Sequence, residues 1–326
     1  MTGKRARTAL VATGLALLGL LGTPVTADAS PSSATKIGAW SQYGSWTAFD
    51  AAVGPVDVYR GYGNWNATWQ QVPAGHRHSG GMNDFSFRLP PAQVASGQQD
   101  VALRTFIAST PKNVVLTNHH EPEQEIEAGD FTFAQFRAAN ARLNRLVDEQ
   151  NARDGGTRKV SVILMISTFT GFQGRNAENY WPTNAKGDGG TVDLISADVY
   201  TAPHGTGTTV SMGYTTGTNW KSAATLVSPV LRFAKLKATD WAISELGILE
   251  DANDGNHRAQ LMRDVVAYAR AGRLSATSVH RPALWVSYWN SKGGRADWGL
   301  RFQSPMPSES NSSLAFRTWR DLANQA

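Results

Sequence analysis

The chain has 326 residues, a formal charge of +5 and no cysteine. Without cysteine it can form neither a disulfide framework nor a thiolate metal site, so its stability must come from a large hydrophobic core. The basic residues are scattered rather than grouped with aromatic residues, which argues against nucleic-acid binding.

The N-terminus has the pattern of a secretory signal peptide. Basic residues precede an apolar stretch from Ala9 to Gly22, and small residues follow as far as Ala29. The apolar stretch is shorter than the roughly twenty residues that span a bilayer, and no later stretch is long enough or apolar enough to cross one. The pattern predicts a signal peptide over residues 1–29 and a secreted, extracellular protein without a membrane anchor.

Eight strand-like runs follow, with helical patterns between several of them. Helical spacing predicts a helix through Phe133–Val147, begun by a capping box of Thr132 and Gln135, and further helices around Leu261–Tyr268 and Leu314–Leu322. The predicted strands are Lys36–Trp40, Val56–Arg60, Phe85–Leu89, Val114–Asn118, Val160–Ser167, Val192–Tyr200, Trp241–Glu245 and Ala283–Trp289. Apolar strands alternating with amphipathic helices indicate a parallel sheet covered on both faces. Eight units favour a single (β/α)8 TIM barrel, an α/β domain over residues 30–326.

Two glutamates, Glu121 and Glu245, end two of these runs. In a barrel both would meet at the rim where the C-terminal ends of the strands open into loops. Two carboxylates so placed are the minimal equipment for glycoside hydrolysis, although each alone is as well explained as an ordinary rim charge. Four other side chains predicted at this rim suit a sugar-cleaving cleft: His120, Asp198, Tyr200 and Trp289.

Three other residues are rival candidates for the roles of Glu121, His120 and Trp289. Glu123 lies two positions beyond Glu121, but the intervening proline disfavours a regular strand there. His119 is expected to pack or to support the site rather than to react. Trp285 is expected in the core at the opposite parity to Trp289, unless a strand bulge exchanges the two.

Other candidates have equally good structural explanations. Arg88 could reach the cleft or form a salt bridge at the rim. Trp40, together with Tyr43 and Trp46, could form a platform for a sugar or a hydrophobic brace beneath the rim, and Trp181 could do the same. The long segment 201–219, rich in glycine and threonine, could border a substrate groove or be a mobile surface loop.

Four motifs together resemble clan A glycoside hydrolases. They are His120-Glu121 after the fourth strand, Asp198-x-Tyr200 after the sixth, Ser244-Glu245-Leu246-Gly247 after the seventh, and Trp289 on the eighth. The histidine before the acid resembles family 26, which includes mannan-cleaving enzymes. The segment that follows Glu121 departs from that of those enzymes, so the resemblance leaves the sugar open.

The resemblance implies a retaining β-glycoside hydrolase with Glu121 as acid/base and Glu245 as nucleophile. It also implies that His120 lies near the sugar 2-hydroxyl or orients the carboxylates, that Tyr200 bonds the nucleophile and that Trp289 stacks under the sugar. The expected substrate is a polysaccharide or oligosaccharide, mannan or a related β-glycan, with endo attack favoured over exo. No cofactor or metal is implied, and we expect a monomer.

Two other classes of function remain as alternatives. A catalytically inactive, carbohydrate-binding barrel would have no use for a nucleophile, so the presence of both acids and Tyr200 argues against it. A metal-dependent hydrolase could use His119, His120 and either Glu121 or Glu123. Adjacent residues of a strand point to opposite faces, however, and no second cluster of ligands is apparent.

Overall fold

In a computed structural model of the chain, eight parallel strands close into one barrel. Each strand pairs with its neighbours in chain order, and the last pairs with the first. The structure describes residues 35–324 except 42–45, 47–48, 51–54, 67, 112, 157–159, 175, 202–209, 212–213, 216–219, 252–255, 291, 294–295 and 298–310. The predicted signal peptide and Tyr43 lie outside these residues. The predicted (β/α)8 TIM barrel is confirmed.

All eight predicted strands are present; the bounds of the second and third are shifted most, the sixth and eighth begin two residues late, and the seventh continues three residues beyond Glu245. The strands are β1 (Lys36–Ser41), β2 (Val58–Asn64), β3 (Met82–Arg88), β4 (Val114–Asn118), β5 (Val160–Ser167), β6 (Leu194–Thr201), β7 (Asp240–Ile248) and β8 (Trp285–Asn290). The second prediction stopped four residues early because Gly61 and Gly63 resemble strand breakers. The third began late because Asn83 and Asp84 are polar, although both are buried here.

The described helices surround the barrel. They are α1 (Pro91–Ser96), α2 (Asp100–Ser109), α3 (Glu123–Ala128), α4 (Phe133–Arg153), α5 (Ala223–Lys237), α6 (His257–Ala271) and α7 (Asn311–Ala323). The predicted capping box begins α4: Gln135 N donates to the Thr132 hydroxyl at 3.2 Å, and Thr132 N donates to the Gln135 side chain at 2.9 Å. None of the helices within the described ranges has the length and apolar character that crossing a bilayer requires.

The barrel interior is built in layers that differ in polarity. The layer nearest the N-terminal ends of the strands is apolar and consists of Val58, Val115, Ile163, Leu194, Ala242 and Trp285. Residues two positions further along a strand face the same side, so the next layer is also internal. That layer is polar yet buried, with Arg60, Asp84, Thr117, Ser196, Ser244 and Ser287. The functional side chains lie directly above it.

One strand, β7, carries a bulge at Ser244. Against β6, Ala197 pairs with Ile243 and the next residue, Asp198, pairs with Glu245. The pairing of β7 with β8 shifts at the same place. Trp241 and Ile243 pack in the main core cluster with the surrounding helices, and unbroken alternation would turn Glu245 the same way. The extra residue instead brings Glu245 to the barrel interior.

The two tryptophans of β8 lie at opposite ends of the barrel interior. Residues four apart in a strand have the same parity, so the prediction that Trp285 lies at the opposite parity to Trp289 was wrong. Trp285 is buried in the apolar layer, whereas Trp289 is half-buried at the C-terminal end of the strand. The pairing of β8 with β1 is regular throughout.

Candidate active site

Glu245 is held by one donor on each carboxylate oxygen. The Tyr200 hydroxyl donates to Oε2 at 2.5 Å, and Nη2 of Arg60 donates to Oε1 at 3.1 Å. Burial raises the pKa of Glu245, while Arg60 and Tyr200 lower it in part. Both donors bond best to the ionised carboxylate, so they fix its orientation and favour its charged form.

Arg60 on β2 is a site residue that the sequence analysis missed. Its side chain is fully buried, although charged side chains are almost never buried without a partner. Burial lowers the pKa of the guanidinium, but Asp84, Glu245 and Asp198 together raise it further, so the net shift is upward. Its position two residues after Val58, on the inward face of an apolar strand, is the signal that could have found it.

Glu121 leaves the end of β4 through an unusual backbone path. His119 and Glu121 both have positive φ angles, 56° and 49°, in a region that costs free energy for residues other than glycine. Glu121 N donates to the Met165 carbonyl at 3.2 Å, and His119 N donates to the Phe87 carbonyl at 2.9 Å. These bonds to the strands on either side hold the strained turn and the acid that it carries.

The environment of Glu121 keeps its carboxyl protonated at neutral pH. Burial raises its pKa to about 8, with further upward contributions from the negative charges of Glu245 and Glu123 and smaller downward ones from Arg60 and Arg88. Glu245 has two donors that favour its ionised form. The surroundings of Glu121 therefore favour its protonated form, whereas the two donors to Glu245 favour its ionised form. An acid and a nucleophile need these two different forms.

The two histidines before Glu121 differ in position. His120 is half-buried and lies beside Tyr62, with 5.9 Å between ring centroids. Burial, aided by Arg60, lowers the pKa of His120 well below its usual value, so the ring is neutral. His119 is buried against Phe131, and its Nε2 lies 3.1 Å from the Leu89 carbonyl. Only His120 is therefore placed near the carboxyl pair.

Glu123 has a structural partner. Its Oε1 accepts a hydrogen bond of 2.6 Å from Ser167 N, where β5 passes into the π-helical turn Thr168–Gly174. Glu123 thus accepts a bond from Ser167 N, and His119 lies beside a carbonyl oxygen. Two of the residues named as possible metal ligands therefore have other partners. Among the residues that the structure describes, no three His, Asp or Glu side chains are arranged to hold a metal ion.

Three aromatic rings on adjacent strands form a wall beside the carboxyl pair, which we call the aromatic wall. Trp289 on β8 stacks on Trp40 of β1, with centroids 4.0 Å apart and 11° between the ring planes. Tyr62 on β2 lies 5.5 Å from Trp289 and 5.4 Å from Trp40. All three rings are half-buried. Tyr62 was missed because the predicted second strand stopped before it.

Two of the other predicted residues lie apart from this wall. Arg88 forms a salt bridge with Glu125 at 3.0 Å, and its side chain is 45 % exposed, which matches the rim alternative. Trp181 is only 5 % exposed and packs edge-on against Phe233 of α5. A buried indole offers no face to a ligand, so the prediction that Trp181 is a sugar platform was wrong.

The structure also describes Trp46 and part of the segment 201–219. Trp46 packs edge-on against Tyr59 and Phe49, which matches a brace rather than a platform. Most of residues 201–219 lie outside the described ranges. The described parts include two short strands, Val210–Ser211 and Tyr214–Thr215, the second of which pairs with Glu250–Asp251.

Asp198 lies beneath the carboxyl pair rather than at the surface of the cleft. It is 1 % exposed and is paired with Glu245 in strand register. Burial, reinforced by Glu245 and Glu121, raises its pKa well above the usual value. Asp198 thus acts on both acids electrostatically, and the prediction that it binds the substrate stays a prediction.

No family model matches the sequence, and no curated protein matches it as a relative. Solved structures do match the fold. A structure described as XacCel5A has a TM-score of 0.53 at 9 % identity, over 89 % of this chain and 99 % of that chain. A GH128 endo-β-1,3-glucanase from Amycolatopsis mediterranei, in complex with laminaripentaose, has a TM-score of 0.49 at 13 % identity, over 87 % and 98 %.

A Cellulomonas fimi endo-β-1,4-mannanase gives a TM-score of 0.42 at 16 % identity, over 74 % of this chain. The match covers 54 % of the mannanase, so this chain spans about half its length. Several matching structures are thus glycoside hydrolases by name. At such low identities, what the chain shares with them is the (β/α)8 barrel.

Proposed function

We propose that the chain is a secreted, retaining β-glycoside hydrolase with Glu121 as acid/base and Glu245 as nucleophile. The observation that carries the proposal is that the surroundings of the two acids at this rim favour different protonation states. The bonds from Tyr200 and Arg60 favour the carboxylate form of Glu245, whereas burial raises the pKa of Glu121 to about 8. A carbohydrate-binding barrel has no need of this difference.

The proposed reaction has two steps. In the first, Glu121 gives its proton to the glycosidic oxygen while a Glu245 oxygen attacks the anomeric carbon, so the C–O bond breaks and a glycosyl-enzyme ester forms. In the second, the Glu121 carboxylate takes a proton from water as that water attacks the anomeric carbon and releases Glu245. Each step inverts the anomeric centre, so the product keeps the β configuration.

The surroundings of the two acids suit a pyranose. The aromatic wall offers apolar ring surface to the apolar face of a sugar, and we propose Trp289 as the ring that stacks under it. His120 is neutral and can hydrogen-bond a hydroxyl, which fits the proposed contact with the 2-hydroxyl. We propose mannan or a related β-glycan as substrate, with endo attack, and a monomeric enzyme secreted through the signal at residues 1–29.

A substrate screen with product analysis tests this function. The purified protein is offered β-mannan, mixed-linkage β-glucan, β-1,3-xylan and galactan, and the first-formed product is followed by ¹H NMR of the anomeric proton. We expect one polysaccharide to be cut to oligosaccharides with the β anomer appearing first. Binding without turnover on all substrates would favour the inactive barrel, and an α anomer first would show inversion.

The pH dependence of kcat/KM should have a basic limit that is set by the titration of Glu121. Its raised pKa of about 8 means that the protonated, active form is lost as the pH rises through that value. We expect kcat/KM to fall above about pH 8 and also to fall in acid, where Glu245 becomes protonated. The measurement is a pH series with an aryl glycoside. In Glu121→Gln the basic limit should disappear, and its persistence would assign that limit to another group.

A further inference from the structure

A buried aspartate lies beside Arg60, next to a different nitrogen from the one that bonds Glu245. Asp84 on β3 is paired with Arg60 on β2 in strand register, and neither side chain is exposed. Oδ1 of Asp84 lies 3.7 Å from Nη1 of Arg60, while Nη2 of the same guanidinium bonds Glu245 at 3.1 Å. One cation is therefore shared between two buried carboxyl groups.

The other contacts of Arg60 are with neutral groups. Nη1 donates to the Gly61 carbonyl at 2.7 Å and to the main-chain carbonyl of Asp84 at 3.4 Å, and Nη2 lies 3.2 Å from the Met165 sulfur. Burial lowers the pKa of Arg60, and the acids that raise it act in the order Asp84, Glu245, Asp198. Asp84 thus acts on the guanidinium through its charge, whereas Glu245 both attracts the guanidinium and accepts its hydrogen bond.

We propose that Asp84 is a positioning residue, which fixes the guanidinium of Arg60 so that Nη2 points at Glu245 and which competes with Glu245 for that positive charge. The proposal rests on the proposed function, in which Glu245 is the nucleophile. Asp84 is fully buried below the rim, so it does not touch substrate. Its action on the reaction passes through Arg60.

The charge balance around Glu245 gives the sign of the expected effect. The titratable groups that face it come from four parts of the chain: Arg60 and Tyr62 from β2, Asp84 from β3, Glu121 from the turn after β4, and Asp198 and Tyr200 from β6. A negative Asp84 raises the pKa of Glu245. Removing that charge should therefore lower the pKa of Glu245 and make it a weaker base and nucleophile.

Asp84 itself sits among polar groups that favour its ionised form. Burial raises its pKa, and Arg60 lowers it in part, followed by the neighbouring Ser244 hydroxyl and Trp285 indole. Neither of these two neighbours reaches an Asp84 oxygen with regular hydrogen-bond geometry. Arg60 is thus its main stabilising partner, and Ser244 connects it through the chain to Glu245.

The first test is Asp84→Asn, which removes the charge and keeps the size of the side chain. We expect the acid limit of kcat/KM to move down by about one pH unit. We also expect kcat to fall about tenfold with KM within about twofold of the wild type, because the cleft is unchanged. A loss confined to folding would lower the active fraction without moving the pH limit.

Asp193→Asn is the matched control. Asp193 precedes β6 at the opposite end of the barrel, where its carboxylate accepts a hydrogen bond of 2.8 Å from Val162 N. The substitution removes the same charge from a hydrogen-bonded aspartate far from Arg60. The acid limit should stay in place in this variant, and an equal shift in both variants would overturn the proposal.

A second measurement needs no turnover, and its wild-type part needs no variant. Side-chain carboxyl ¹³C NMR of the wild-type protein follows Glu245 as the pH is changed, and we expect a second inflection at the pH where Asp84 titrates. In Asp84→Asn this inflection should vanish. Its absence from the wild type, or an unshifted acid limit in Asp84→Asn, overturns the proposal. Should Glu245→Ala retain turnover, the proposed function fails, and the titration still decides whether the two carboxyls share Arg60.

Discussion

Replacing Glu245 by alanine is expected to abolish turnover on every β-glycoside, a loss of about 10⁴-fold or more. Without the carboxylate no glycosyl-enzyme can form, and activated leaving groups cannot compensate because the missing group is the nucleophile. The measurement is steady-state hydrolysis of a natural glycan and of a dinitrophenyl glycoside. Both rates should fall together.

In Glu245→Ala the donors Arg60 and Tyr200 lose their acceptor, so the folding of this variant must be checked separately. Glu245→Gln keeps the size of the side chain and an oxygen that can accept from Arg60, and it should lose activity to a similar extent while keeping its thermal midpoint closer to the wild type. Glu123→Gln serves as the matched glutamate control. Full activity in Glu245→Gln would remove Glu245 from the reaction.

Replacing Glu121 by alanine should have a selective effect. A poor leaving group needs the proton that Glu121 supplies, so its hydrolysis should fall by about 10²–10⁴-fold. A dinitrophenol leaves without protonation, so the first step should remain measurable, and the glycosyl-enzyme should accumulate as the second step lacks its base. Added azide needs no base, and it should speed release and give a β-glycosyl azide.

The product with azide distinguishes Glu121 from its neighbour. The Glu123 carboxylate is bound by Ser167 N at 2.6 Å, so Glu123→Ala should change stability more than leaving-group dependence. An equal loss on good and poor leaving groups in Glu121→Ala, with no azide product, would move the acid/base role elsewhere. Glu123 would then be the first residue to test.

The strands and both acids could be predicted from the sequence because each depends on a local pattern. Apolar runs such as Val114–Asn118 report burial on both faces of a strand, and a charged residue after such a run marks its C-terminal end. The capping box of α4 is likewise local, since its two partners are three residues apart. For the same reason Glu121 and Glu245 stood out without any knowledge of the closed barrel.

Spacing from Val58 places Arg60 on the inward face of its strand, but the roles of Arg60, Asp84 and Tyr62 could not be found from local patterns. Their roles depend on which residues face each other across the barrel, and that is decided by strand register rather than by neighbours in the chain. Glycines resemble strand breakers, which is why the predicted second strand stopped at Arg60. Polar residues in a strand ordinarily indicate solvent, which is why the predicted third strand began after Asp84. Trp181 shows the opposite error, because an aromatic residue in a loop was taken for a surface platform although it is buried against α5.

The extra residue in β7 also bears on how this chain can be compared with distant relatives. Alternation along β7 changes phase at Ser244, so Ala242 and Glu245 share the interior face although they are three positions apart. An ungapped alignment with a barrel that lacks this bulge would set a glutamate from an inward position against Ser244, one column away from Glu245. The alignment would score a mismatch although both proteins carry a glutamate at the same place in the barrel. A single inserted gap would align the two glutamates.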